Sequence, residues 1–266
     1  MNKTNTSGFT LIEVAIVLLI VTILLGYSLA LFPVQQELKQ YRQANHEMDK
    51  IIESIYAFAQ SNNYLPCPSN AASSGFECRN NNGTSGDCDG TSTTIHECDL
   101  WAGFVPGKTL GLNGKYNAAG LLLDPWGKPY RYQVTDTGAG TGSIGEDFVL
   151  FDGMRDVGIP ALTPDISVCT ADPSPTALGS DTVCASAALR LINNAPAVIL
   201  SQGKDALENV ATTSWIQREN LDNGPGDRVF ISTSFSDRNN VEFDDLVKWI
   251  SPNILYGKMI DAGHLP

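Results

Sequence analysis

Gly8-Phe9-Thr10-Leu11-Ile12-Glu13-Val14-Ala15-Ile16-Val17-Leu18-Leu19-Ile20-Val21-Thr22-Ile23-Leu24-Leu25 begins an apolar run that continues to Phe32. The 19 residues from Val14 to Phe32 contain no charge. At about 1.5 Å per residue, a helix of that length spans most of a ~30 Å hydrocarbon core. It is also longer than the usual apolar region of a secretory signal peptide. Before it lies a short polar leader whose only charge is Lys3. Glu13 stands at the mouth of the run, four residues after Phe9. A carboxylate at bilayer depth costs about 2.5–3.5 kcal/mol on insertion scales, so an acid in this place has a partner and a function. The rival reading, an export signal cut after Ser28-Leu29-Ala30, leaves Glu13 unexplained.

Beyond Pro33 the pattern turns amphipathic. Leu38, Tyr41, Ala44, Met48, Ile51, Ile52, Ile55 and Phe58 recur at three- and four-residue spacing, with Lys39, Arg42, Asp49, Lys50 and Glu53 between them. This predicts one helix from about Phe9 to about Gln60. Gly26 and Pro33 are its weak points, because proline removes a backbone donor and clashes with the preceding turn. The stripe from Leu38 to Phe58 reads as a face docked on a globular body, and Asn62-Asn63 as its end.

The chain has 266 residues, 42% of them hydrophobic and 17% charged, with a formal net charge of −12. That is a globular composition. The acidic balance argues against a broad nucleic-acid surface, which a phosphate backbone would repel. The six cysteines, Cys67, Cys78, Cys88, Cys98, Cys169 and Cys184, all lie beyond the apolar run and form no C-x-x-C pair. An even count of this kind fits disulfides in an oxidising compartment, with six buried thiols as the alternative. Spacing alone leaves 15 pairings open. Short loops close most easily, which favours Cys67–Cys98, Cys78–Cys88 and Cys169–Cys184. The first two would pin the Asn-, Ser-, Thr- and Gly-rich stretch from Ser69 to Asp99.

The rest alternates turn signals with short apolar runs. Leu121–Leu123, Tyr130–Val134, Phe148–Phe151, Ala197–Leu200 and Val229–Ser232 predict about five antiparallel strands. Ser167–Ile192 reads as an insertion with its own disulfide and a short helix at about Ala185–Ile192. Glu242–Ile250, acids first and apolar residues at helical spacing, reads as a helix stopped by Ser251-Pro252. A second short helix is expected at Asn253–Ala262.

Two segments carry a family resemblance. Gly8-Phe9-Thr10-Leu11-Ile12-Glu13-Val14, followed by the long apolar run, resembles the N-terminal signal of type IV pilins and type II secretion pseudopilins. Asp124-Pro125-Trp126-Gly127-Lys128-Pro129-Tyr130 resembles the D-P-W-G-x-P-Y run of G-type pseudopilins, although this chain is much longer than a G-type subunit. Physically, Pro and Gly set the turn, and Trp126 and Tyr130 are expected to fill the joint with the helix.

The resemblance implies cleavage between Gly8 and Phe9 by a prepilin peptidase, N-methylation of Phe9, and pairing of Glu13 with the Phe9 ammonium of a neighbouring subunit. It implies a type IV pilin-like α+β fold: leader 1–8, hydrophobic half-helix 9–33, amphipathic half-helix 34–61 and globular head 62–266. The expected protein is a non-catalytic filament subunit, and its size and elaborated head favour a minor one. It would be held in the inner membrane by a single pass with its head in the periplasm, then assembled into a pilus or pseudopilus. Its partners would be other pilin or pseudopilin subunits and the inner-membrane assembly platform, with no nucleic acid. A secretion pseudopilin and a ligand-binding tip subunit of adhesin type are the alternatives. Related pseudopilins hold calcium in a loop after the D-P-W-G turn, which points to Asp147, Asp152, Asp156 and Asp165 as oxygen ligands, without the family's consecutive glycines. No other cofactor is expected.

Other motifs are set aside. Gly140-Thr141-Gly142-Ser143-Ile144-Gly145 satisfies G-x-G-x-x-G but sits between strand-like runs rather than opening a helix. Gly107-Lys108-Thr109 lacks the upstream glycine of a phosphate loop, since Ala102 stands there. Asp87-Cys88-Asp89-Gly90 begins like an EF-hand loop without its closing glutamate. His46, His96 and His264 are scattered and form no ligand or triad pattern. Trp101, Phe104, Trp215 and Trp249 are read as core packing rather than a ligand platform.

Overall fold

The computed structural model describes residues 10–79, 88, 98–135, 146–171, 184, 186–204, 215–221, 228–236 and 242–265; side chains at 26–34, 146, 215 and 221 lie outside that description. The chain divides into two compact units, Met1–Gln43 and Ala44–Pro266.

Helix α1, Leu11–Asn62, runs without interruption through Gly26 and Pro33 and belongs to both units. In the first unit its side chains from Leu11 to Leu25 are exposed on every side. In the second unit the helix is one-sided. Ala44, Met48, Ile51, Ile55, Tyr56 and Ala59 are buried, while Asp49, Lys50 and Glu53 face solvent. Each large apolar side chain so buried contributes about 1.5–3 kcal/mol. Asn63, at φ 67°, closes the helix in the left-handed region and returns its N–H to the Ala59 carbonyl at 2.8 Å.

The second unit is layered. A four-stranded antiparallel sheet joins β1 (Ala102–Phe104), β4 (Arg131–Val134), β7 (Ala197–Ser201) and β9 (Leu246–Trp249) in the order β1-β4-β7-β9. The small hairpin of β2 (Lys115–Tyr116) and β3 (Leu122–Leu123) precedes β4. One sheet face, through Tyr130, Tyr132, Val134, Ala197 and Ile199, shares a core with α1 and with Leu255 and Met259 of the C-terminal helix, Pro252–Asp261. The other face, through Val198, Leu200 and Val247, packs on a second sheet. There β5 (Ile166–Cys169) lies between β6 (Arg190–Ala195) and β8 (Val229–Ile231). A third cluster sits beneath it, formed by Ile216, Val229, Ile231, Phe243 and the Cys169–Cys184 bridge. The disulfides are Cys67–Cys98, Cys78–Cys88 and Cys169–Cys184.

Several expectations are corrected. Phe148–Phe151 is not a strand: α2 (Glu146–Val149) is a single helical turn whose Phe148 carbonyl accepts from the Leu65 N–H at 2.7 Å. It leads directly into α3 (Gly153–Val157). The helix expected at 185–192 is a short 3-10 turn, Ala187–Leu189, before β6; the Ser186 hydroxyl accepts the Ala188 N–H at 3.2 Å, and the residues from Arg190 onward pair with β5 instead of continuing the helix. Glu242–Ile250 is not a helix either. Its second half is edge strand β9, with Leu246, Lys248 and Ile250 facing α1 and Val247 and Trp249 facing the second sheet. A strand apolar on both faces carries no clean alternation and is easily mistaken for a short helix. The C-terminal end therefore holds one helix rather than two. The pairing of β5 with β8 is parallel, so the strands are not all antiparallel.

Candidate functional site

The N-terminal segment stands out for its acid, and the structure gives that acid a local role. Thr10 stands at the helix N-terminus and Glu13 three residues on. One Glu13 carboxylate oxygen accepts the Thr10 N–H at 3.1 Å and the Thr10 hydroxyl at 3.0 Å; the Thr10 hydroxyl in turn accepts the Glu13 N–H at 3.4 Å. This is a reciprocal capping box, which satisfies donors the first turn leaves without intrahelical partners. Its sequence signal is Thr-x-x-Glu before an apolar run. The negative charge also suits the positive end of the helix dipole. Gly8 and Phe9 lie outside the described residues.

Leu11 is 89% exposed and Ile12 68%, and the apolar side chains onward to Leu25 are open as well. A helix apolar on all sides belongs in a membrane or in the interior of a larger assembly. Among the described residues no helix is long and apolar enough to cross a membrane. The apolar side chains described there run only from Leu11 to Leu25, about 22 Å of helix against a ~30 Å core.

The D-P-W-G segment is a locked turn. The Asp124 N–H donates to the Lys128 carbonyl at 2.7 Å, and the Gly127 N–H to the Asp124 carbonyl at 3.0 Å. Gly127 has φ 86°, a left-handed conformation that suits glycine. The Asp124 carboxylate, almost fully buried, accepts the N–H groups of Trp126 and Lys128 at 3.0 and 2.9 Å and the Ser201 hydroxyl at 2.7 Å. It thereby ties the turn to β7. Burial outweighs these bonds and holds its pKa above the ordinary carboxylate value. Tyr130 then enters the core and donates its hydroxyl to Glu47 of α1 at 2.8 Å. Burial, followed by the Glu47 bond and charge, keeps that phenol protonated far into the alkaline range. Trp126 is half-buried and stands outside the α1-facing cluster, so Tyr130 alone of the two fills the joint.

The four proposed calcium ligands do not converge. Asp165 pairs with Arg228 and accepts the Thr135 hydroxyl, Asp152 accepts from Asn63 at the end of α1, Asp156 is exposed on α3, and Asp147 is buried in α2. Among the described residues the one grouping with metal-like spacing is Cys78, Cys88 and Asp99. Its cysteines are joined in a disulfide and offer no thiolate. His46 is exposed, and His264 donates from Nε2 to the Gln60 carbonyl at 2.8 Å. His96, Asp87, Asp89, Gly90, Gly140–Gly145 and the Trp215 side chain lie outside the described residues.

Residues 3–29 match the family model of the prokaryotic N-terminal methylation motif, the signature of type IV pilins and pseudopilins. No curated protein and no solved structure matches the chain.

Proposed function

We propose that this chain is a non-catalytic, low-copy subunit of a type IV pilus or a related filament, with a pilin-like fold. In this reading the peptide bond between Gly8 and Phe9 is cut, Phe9 is N-methylated, and α1 anchors the chain in the inner membrane before it enters the filament. The observation that carries the reading is the methylation motif laid over a helix whose apolar side chains are exposed on every side. Burying that surface against neighbouring copies supplies the driving force. The Glu13 carboxylate, already held at the helix N-terminus by Thr10, is placed to receive the Phe9 ammonium of an adjoining copy, which offsets the cost of both charges in an apolar interior.

The capping box makes the test sharp. Glu13→Gln keeps the box and removes the charge, whereas Glu13→Ala removes both. Both variants are expected to insert in the membrane and to fall at least tenfold in sheared filament fractions. Normal incorporation of Glu13→Gln would show that only the cap matters and would remove the charge pairing from the account.

The D-P-W-G-x-P-Y turn favours a second reading, a pseudopilin of a type II secretion system. Deletion of the gene would then abolish secretion of exported enzymes while leaving surface pili in place.

A further inference from the structure

The second sheet does not cover the first completely. Strand β4 alternates: Tyr132 and Val134 face α1, which turns Arg131 and Gln133 to the opposite side. There Ile166, Val168 and Phe230 cover Val198, Leu200 and Val247. At the β1 end this cover leaves a cavity of about 220 Å³, walled by Phe104, Val198, Leu200 and Phe230 and opened to polar chemistry by Arg131 and Gln133. Phe104 pairs in register with Arg131, so the two side chains share that face.

Arg131 is the only charged residue among the described lining. It is half-buried, and no described residue makes a hydrogen bond or ion pair to its guanidinium. The opposing influence is the Asp245 carboxylate, which also accepts the Asn220 amide at 2.8 Å. Desolvation lowers the Arg131 pKa and outweighs the attraction of Asp245. A guanidinium removed from water without bonded partners is costly, and its planar fork matches a carboxylate with two parallel hydrogen bonds. The aromatic and aliphatic walls suit a small apolar body attached to that carboxylate.

We propose that this cavity binds an organic carboxylate with an apolar body, the carboxylate on Arg131 and the body between Phe104 and Phe230. Two sources offer that chemistry: a free aromatic or branched acid, and the C-terminal residue of a peptide ending in an apolar side chain. The site lies within the second unit and does not depend on filament assembly.

The test uses the full chain in detergent, titrated with benzoate and with benzamide, its neutral isostere. A tetrapeptide ending in Phe is tried with a free and with an amidated C-terminus. Binding is followed by calorimetry and by the shift in melting temperature. Benzoate should bind and raise the melting temperature while benzamide does neither, and Arg131→Gln should weaken benzoate at least tenfold. Should Arg131→Gln fold poorly, Arg131→Lys keeps the charge, loses the fork and should still weaken binding severalfold. A free-acid peptide binding tenfold or more tightly than benzoate assigns the site to chain termini, and the reverse order assigns it to free acids. Failure of both carboxylates to bind, equal binding of benzamide, or undiminished benzoate binding by Arg131→Gln overturns the proposal.

Discussion

Asp124 shows how a single side chain can fix a turn. Its carboxylate meets two backbone donors within the turn and the Ser201 hydroxyl of a strand distant in sequence. Asp124→Ala leaves all three without that acceptor and is expected to cost about 3 kcal/mol in chemical denaturation. The pH dependence has a definite sign. Burial raises the folded pKa above the ordinary 3.8, so the folded state binds more protons than the unfolded one just above that value. The contribution of Asp124 is therefore most favourable in acid and declines as pH rises through the raised value. The stability gap between wild type and Asp124→Ala should widen as pH falls from neutral toward 4. A gap that narrows contradicts the assignment of the shift to burial. Glu13 teaches a related lesson at the other end of the chain. Its charge stood out in the sequence as an anomaly in an apolar run, yet its first partner is Thr10, three residues away in the same chain.

At the scale of elements, the second half of α1 holds the head together. Tyr130 from the sheet meets Glu47, the Ser251 N–H meets the Tyr56 hydroxyl at 3.0 Å, and Lys248 meets the Asn45 carbonyl at 3.0 Å. Tyr130→Phe keeps the ring in the core and removes only the bond to Glu47, and should cost about 2 kcal/mol with little change in the far-ultraviolet circular dichroism. A cost below about 0.5 kcal/mol would mean the bond does not help to hold helix and sheet. The helix itself was legible in the sequence, because an apolar period of three to four residues sustained over many turns fits a helix and not a strand. β4 and β7 were legible as apolar runs between turn signals. β9 was not: with apolar residues on both faces, Leu246, Val247, Trp249 and Ile250 lose the alternation that marks a strand. β5 and β6 escaped because a long connection separates them and their pairing carries register shifts. Two of the acids expected to bind calcium have separate partners. Proximity in sequence gathered them, but Arg228, Thr135 and Asn63 engage two of them separately.

For the whole molecule, an exposed apolar helix precedes a layered head in which three disulfides close loops of sequence separation 31, 10 and 15. Disulfides belong to an oxidising compartment, and an apolar stem belongs in lipid or in a filament interior. The net charge of −12 is unfavourable for nucleic acid. The proposed function would unite these features in a chain made in one environment, processed at its start and moved into another through its stem. The most direct measurement is the intact mass and N-terminal fragment series of the protein purified from its native membrane. The account predicts a chain that begins at Phe9 and carries one added methyl group on that residue. A chain that retains Met1 to Gly8, or one that begins at Leu31 after cleavage behind Ala30, contradicts it.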